Sequence, residues 1–169
     1  MLILAASSGE NLAMARQIAA AAEADDVHAE IIELCRLDLP LYLPTAPDRD
    51  PGPGLDQLVG ALQRHRTLFV CAPEYNGSIP PVLTNAIAWL SVRSDDFRSL
   101  FQQRPVALGS HSGGGGHRVL VAMRQQFAYL GCTVLGRELL ATSQKPLNPQ
   151  SVKELVGQLD RLDRLAPAG

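Results

Sequence analysis

Three short segments of this sequence combine serine with glycine, the first two also contain asparagine, and each follows a run of apolar residues. They are residues 7–11, 73–78 and 110–118. Small polar residues form tight loops with unpaired backbone N–H groups, and such groups bind phosphate where a helix begins next. No Ser–His–Asp or Cys–His combination indicates nucleophilic catalysis. The three segments therefore predict ligand binding through backbone groups.

The second segment has the clearest strand–loop–helix pattern. Residues 68–72 are apolar and flanked by polar residues, which is typical of a strand buried on both faces. Asn76 and Gly77 suit a turn with positive φ, and Pro80 and Pro81 suit the start of a helix that continues to residue 90. In an open parallel sheet, ligands bind where a strand ends in such a loop.

The first segment follows an apolar run at residues 2–6 and precedes a helical pattern that starts at Leu12. Strand, loop and helix in this order present N–H donors and a positive helix end to a phosphate. Ser7, Ser8 and Asn11 would equally serve as plain helix caps, and taken alone the segment favours that interpretation.

The third segment follows an apolar run at residues 105–110 and contains four consecutive glycines, residues 113–116. Glycines allow a backbone to lie flat against a planar ligand, and the alternative is a flexible connector. We expect ligand contact, because the glycines lie at a strand end. His111 and His117 are interpreted as loop or helix-start residues, and no metal site is expected.

The rest of the chain repeats the same alternation of strand and helix. Residues 28–34 and 133–141 give two more strands, and amphipathic helices fill the intervals. The predicted fold is α/β, a doubly wound five-stranded parallel sheet with strand order 2-1-3-4-5, in one domain over residues 1–169. In that order the three loops converge on one edge of the sheet.

The second segment also carries a family resemblance. Pro73-Glu74-Tyr75-Asn76-Gly77-Ser78-Ile79-Pro80, followed by Asn85-Ala86-Ile87-Ala88-Trp89, resembles the NAD(P)H-dependent FMN reductases, which include quinone and chromate reductases. The resemblance implies a flavodoxin-like fold, in agreement with the predicted sheet. The resemblance implies FMN as the cofactor and NADPH or NADH as the co-substrate. It implies no catalytic side chain, because the flavin carries the chemistry. The cofactor-binding residues it implies are Ser7, Ser8, Asn11, Leu12, Pro73, Glu74, Tyr75, Asn76, Gly77, Ser78, Ser110, Ser112 and Gly113.

The first segment departs from the family pattern. The family loop is usually longer and commonly carries an arginine, whereas this loop is short and contains Glu10. Arg16, one turn into the helix, is either the substitute cation or a solvated helix residue. We therefore expect FMN to bind more weakly than in members that keep the arginine.

Two hypotheses of function remain open. In the first, the protein is an enzyme in which NAD(P)H reduces FMN, and the flavin then reduces a quinone, a free flavin or a similar small acceptor. In the second, it is an electron carrier or a non-catalytic module that binds flavin weakly or not at all. The resemblance implies a homodimer or tetramer, and Trp89 is either partner-facing or a core residue.

Composition excludes several other classes. The net charge is -2 and no basic run is present, so nucleic-acid binding is not expected. No apolar stretch is long enough to span a membrane, and the expected location is the cytoplasm. Cys35 and Cys71 lie in apolar runs and are predicted to be inert thiols in core strands.

Overall fold

The computed structural model describes residues 1–46, 48–93 and 95–165. The strands are β1 (Leu2–Ala5), β2 (Glu30–Glu33), β3 (Leu68–Cys71), β4 (Pro105–His111) and β5 (Thr133–Ala141). The helices are α1 (Glu10–Ala24), α2 (Pro53–Arg64), α3 (Pro81–Arg93), α4 (His117–Tyr129) and α5 (Pro149–Leu165). Short 3-10 helices span Leu34–Arg36 and Phe97–Leu100. No helix of the described residues has the length and apolarity needed to cross a bilayer.

The five strands form one parallel sheet in the order β2-β1-β3-β4-β5, which confirms the predicted topology. The central strands β1 and β3 are buried along their whole length. Their apolar side chains alternate between two core layers. Leu2, Leu4 and Val70 face one layer, which includes side chains of α2, α3 and α4, and Ile3 and Phe69 face the layer covered by α1 and α5.

Strand β2 is shorter than predicted, and this corrects the interpretation of Cys35. The chain leaves the sheet after Glu33, because Leu34 turns into the core while Arg36 donates to the Glu33 carboxylate at 2.9 Å. Cys35 therefore lies exposed in the Leu34–Arg36 turn and not in a strand. Cys71 is a buried strand residue, as predicted.

The parallel arrangement decides where the loops lie. The segments that follow β1, β3 and β4 all leave the sheet at the carboxyl ends of adjacent strands. Ala6 continues this alignment beyond β1, since its N–H donates to the Cys71 carbonyl at 2.8 Å. The loops after β1 and β3 therefore begin side by side.

Candidate functional site

The loop after β3 is a tight two-residue turn. Tyr75 and Ser78 exchange backbone hydrogen bonds of 3.0 and 2.9 Å, and between them Asn76 and Gly77 have φ of 49° and 75°. These values are typical of a type I′ turn, and the predicted positive φ is confirmed at both residues. Within the described residues, the N–H groups of Asn76 and Gly77 donate no hydrogen bond, so they remain available to a ligand.

The Glu74 side chain ties this turn to the start of α4. Its Oε2 accepts hydrogen bonds from the backbone N–H groups of Arg118 at 3.1 Å and Val119 at 3.4 Å. A carboxylate in this position satisfies two of the unpaired donors at a helix N-terminus and lies in the favourable end of the helix dipole. Glu74 thus holds the loop after β3 against the end of the glycine-rich segment.

The Asn11 side chain ties the loop after β1 to the end of β4. Its Nδ2 donates to the His111 carbonyl at 2.9 Å, and its Oδ1 accepts from the His111 N–H at 2.9 Å. Asn11 is only 2% exposed. Its amide is therefore committed to the protein backbone and does not line the open surface where the sequence analysis expected it.

The start of α1 keeps free backbone donors. No side chain caps this helix, so the plain-capping interpretation of Ser7 and Ser8 is not what the structure contains. The N–H of Leu12 is bonded to the Gly9 carbonyl at 2.9 Å, and the Leu12 side chain is buried in the core. Among the described residues, the Glu10 and Asn11 N–H groups have no acceptor. Leu12 is thus a packing residue, and the donors lie just before it.

A cavity of about 330 Å³ connects the loops after β1 and β3. It is lined by Ala6, Ser7, Ser8, Cys35, Tyr75, Pro80, Pro81 and Val82. The sequence analysis named Ser7, Ser8 and Tyr75, and the structure brings these three residues together. It missed Cys35, although the position of this residue at the carboxyl end of β2, beside β1, was a usable signal.

Glu10 and Arg16 do not line this cavity. The Glu10 carboxylate is 3.8 Å from His111 Nε2, and it lines a separate cavity with Met14, Gln17 and residues after β5. Arg16 lines a third cavity, next to Glu33 and Arg36. The expected effect of the two charges on phosphate affinity stays a prediction.

The three remaining predicted residues, in the glycine-rich segment after β4, differ in their exposure to solvent. Ser110 is fully buried, and a Cβ atom at Gly116, where φ is 72°, would lie 2.8 Å from its Oγ. Ser112 is also buried, and its N–H donates to the Ala141 carbonyl at 3.2 Å. Gly113 is exposed with no neighbour within 4 Å of its Cβ position. Only Gly113 of these three is open to a ligand.

Arg118 is a site residue that the sequence analysis missed. Its side chain crosses the turn after β3, with Cδ at 3.4 Å and Nη1 at 3.8 Å from the position of a Cβ on Gly77. Arg118 is exposed, and its guanidinium makes no ion pair or hydrogen bond with any described residue. The signal available in the sequence was a basic residue directly after the glycine run.

Trp89 is a core residue, which corrects the partner-facing interpretation. It is 3% exposed, its Nε1 donates to the Pro40 carbonyl, and its ring meets Tyr42 edge-on at 5.3 Å. Asn85 donates to the same carbonyl and accepts from the Tyr42 N–H at 2.8 Å. These two residues of the α3 motif therefore hold the segment after β2 in place.

Taken together, the edge suits a ligand that has both an anionic group and a flat polar ring. The start of α1 and the Ser7–Ser8 cavity supply donors for an anion. The turn after β3 supplies free N–H groups, and Gly113 permits close approach. Cys35 and the buried thiols do not join any cluster of three or more metal-ligating side chains in the described part of the chain.

Comparisons with known proteins agree with this arrangement. The sequence is similar to the quinone reductase of Escherichia coli strain K12, at 29% identity over 131 residues that cover 74% of this chain and 68% of that one. The fold is similar to FerB, a flavoenzyme NAD(P)H:acceptor oxidoreductase from Paracoccus denitrificans, with a TM-score of 0.73 at 17% identity, covering 96% and 93% of the two chains. It is also similar to the flavodoxin of Megasphaera elsdenii, with a TM-score of 0.62 at 18% identity, covering 95% and 99%.

The family match decides the class of protein. The sequence model described as NADPH-dependent FMN reductase matches residues 1–146, which include all of β1 to β5. The free donors, the cavity and the turn fit FMN, since they provide for both a phosphate and a polar ring edge. The protein therefore belongs to the NADPH-dependent FMN reductase family, and it is a flavin-dependent oxidoreductase with FMN as cofactor and NAD(P)H as co-substrate.

Proposed function

We propose that this protein uses NAD(P)H to reduce a quinone or a similar small acceptor through FMN bound at the carboxyl edge of β1, β3 and β4. The observation that carries the proposal is the shared cavity of Ser7, Ser8 and Tyr75, beside a turn with free N–H groups. The similarity to a quinone reductase supports the class of acceptor.

In this proposal the phosphate of FMN lies at the start of α1. The hydroxyl groups of Ser7 and Ser8 and the free N–H groups of Glu10 and Asn11 donate to it, and the helix dipole adds a favourable field. The Asn11 side chain contributes indirectly, because its bonds to His111 hold the helix start in position.

The turn after β3 would hold the polar edge of the ring. Asn76 and Gly77 donate their N–H groups, and the contacts of Glu74 and Ser78 keep the turn in shape. FMN held here would supply the hydride and electron transfer between NAD(P)H and the acceptor, which the side chains of the protein do not provide. Fixed N–H donors at the ring edge stabilise the negative charge that develops on reduction, because they need no reorganisation.

The proposal is tested by a two-stage anaerobic titration. Protein stripped of flavin is first titrated with FMN, and binding is followed by quenching of flavin fluorescence. NADPH or NADH should then bleach the visible absorbance, and a stoichiometric quinone should restore it. If FMN stays bound but NAD(P)H bleaches it only over hours, the protein is an electron carrier. If FMN does not bind, both the enzyme and the carrier hypotheses are contradicted.

We also propose that the protein self-associates near the C-terminal end of α3. Trp89 does not support this, but Leu41 is 65% exposed and Val92 is 49% exposed, and Val92 borders the same cavity as Tyr42. Leu41 precedes Tyr42 in the chain, and exposed apolar side chains in one region of a surface favour burial against a second copy. Light scattering at micromolar concentration should give at least twice the monomer mass, and a monomer would contradict the proposal.

A further inference from the structure

Arg118 is placed against the turn after β3 by two separate contacts. Its side chain lies across Gly77, where any Cβ atom would sit 3.4 Å from Arg118 Cδ. Its backbone N–H donates to the Glu74 carboxylate at 3.1 Å. Both ends of the residue are thus connected to the loop that follows β3.

The charge of Arg118 is not neutralised within the described part of the protein. No carboxylate of the described residues lies within ion-pair distance of its guanidinium. Glu74 is the nearest acidic residue with a contact to Arg118, and its Oε2 is occupied by the two N–H groups of α4. The start of α4 adds the positive end of a helix dipole, so the local field favours an anion.

Arg118 is also separate from the cavity in which the FMN phosphate is proposed to lie. Tyr75 lines that cavity with Ser7 and Ser8, whereas Arg118 contacts Gly77 and does not line it. Its exposed guanidinium is reachable by a molecule that arrives from solvent. Arginine suits phosphate because its planar fork donates two parallel hydrogen bonds.

We propose that Arg118 binds a phosphate group of the nicotinamide nucleotide and so sets the affinity for this co-substrate. The inference rests on the proposed function, because it requires hydride transfer at the turn after β3. The phosphate is either the pyrophosphate, which NADH and NADPH share, or the 2′-phosphate of NADPH. Loss of affinity for both nucleotides identifies the pyrophosphate, and loss for NADPH alone identifies the 2′-phosphate.

The experiment compares Arg118→Ala and Arg118→Lys with Arg161→Ala. Arg161 lies on α5, and its side chain also has no ion pair or hydrogen bond with a described residue, so this variant controls for the loss of one surface charge. Each FMN-loaded variant is reduced anaerobically with NADPH, with NADH and with 1-benzyl-1,4-dihydronicotinamide. The last compound donates a hydride but carries no phosphate.

For Arg118→Ala we expect the dissociation constant of at least one nucleotide to rise about tenfold, which is typical of one lost charge-assisted contact. The rise should be smaller in Arg118→Lys, which keeps the charge, and absent in Arg161→Ala. The rate with the phosphate-free donor and the dissociation constant of FMN should stay unchanged. Calorimetric titration with ADP-ribose and with its 2′-phosphate should report the same loss without any turnover.

Two outcomes would overturn the inference. Unchanged nucleotide binding in Arg118→Ala would show that the guanidinium does not contact the nucleotide. An equal loss with the phosphate-free donor, or a loss of FMN affinity, would assign Arg118 to the flavin and not to the nucleotide. If the unaltered protein reacts with none of the three donors, the proposed function is contradicted. The inference is then tested separately, because Arg118→Ala should still lose the ADP-ribose binding of the unaltered protein.

Discussion

The Asn11 side chain forms two hydrogen bonds of 2.9 Å with the backbone of His111, a residue 100 positions later in the chain. One bond uses the amide as a donor and the other uses it as an acceptor, as in the hydrogen-bonded pairs of a β-sheet. The two bonds join the start of α1 to the last residue of β4. The start of α1 and the start of the glycine-rich segment are therefore held at a fixed separation.

Asn11→Ala should lower the free energy of unfolding by about 2 kcal/mol, because two partly buried backbone groups of His111 lose their partners. FMN affinity should fall as well, since the free N–H groups at the start of α1 lose their fixed position. Urea denaturation and FMN titration measure the two effects. Gln17→Ala, an exposed amide on the same helix, is the control, and equal effects in both variants would contradict the prediction.

Glu74→Ala should destabilise the protein by about 1 kcal/mol, as expected for the loss of a helix cap. Glu74→Gln keeps a neutral oxygen in the same place and should lose less. Thermal unfolding followed by circular dichroism gives both values. If Glu74→Gln were as damaging as Glu74→Ala, the charge and not the hydrogen bonds would be the source of stability.

Gly77→Val should abolish FMN binding while the protein stays folded. A β-branched residue resists the positive φ of 75° found at this position, and its Cβ would press on Arg118 Cδ at 3.4 Å. The strain should cost about 1–2 kcal/mol. Gly136→Val is the matched control, since Gly136 has no neighbour within 4 Å of its Cβ position. Undiminished flavin in a folded Gly77→Val protein would argue against the proposed place of the ring.

Cys35 should be the one thiol that reacts rapidly with Ellman's reagent in the native protein. It is exposed, whereas Cys71 and Cys132 are buried, and burial raises the pKa of Cys132 to about 12. FMN should slow the reaction several-fold, because Cys35 lines the same cavity as Ser7 and Ser8. Cys35→Ser should remove the fast phase. A rate that does not change at saturating FMN would place the phosphate elsewhere.

His65 should make the protein less stable at mildly acidic pH. Burial lowers the pKa of His65 below its usual 6.5, although Nε2 contacts the Glu30 carboxylate at 2.8 Å. The folded protein therefore favours the neutral ring, so the stabilisation is complete above pH 6.5 and is lost as the pH falls below that value. Urea denaturation at pH 7.5 and 5.5 should reveal the difference.

The control for the histidine prediction is a pair of variants. His65→Gln should show a smaller difference between the two pH values than the unaltered protein. His117→Gln changes an exposed histidine at the start of α4 and should leave the difference as it was. An unchanged pH dependence in His65→Gln would mean that another group is responsible.

Local and repetitive features of this protein were readable from the sequence. Segments rich in apolar residues became the five strands, and their alternation with helices indicated a parallel sheet. The order 2-1-3-4-5 is that of the flavodoxin-like fold, which the family resemblance implied. Asn76 and Gly77 adopted positive φ because this preference belongs to the residues themselves. Cys35 was misplaced because a strand end depends on the neighbouring residues: Leu34 packs into the core and Arg36 pairs with Glu33.

The direction of the polar side chains was decided only by the tertiary structure. Asn11 and Glu74 were expected to face a ligand, but the Asn11 side chain bonds to the end of β4, 100 residues away, and the Glu74 side chain to the start of α4, 44 residues away. Ser110 is buried beneath Gly116, and the side chain of Arg118 lies across Gly77. Hydrogen bonds and charges act over a few ångströms, so their partners are known only after the sheet has brought distant loops together.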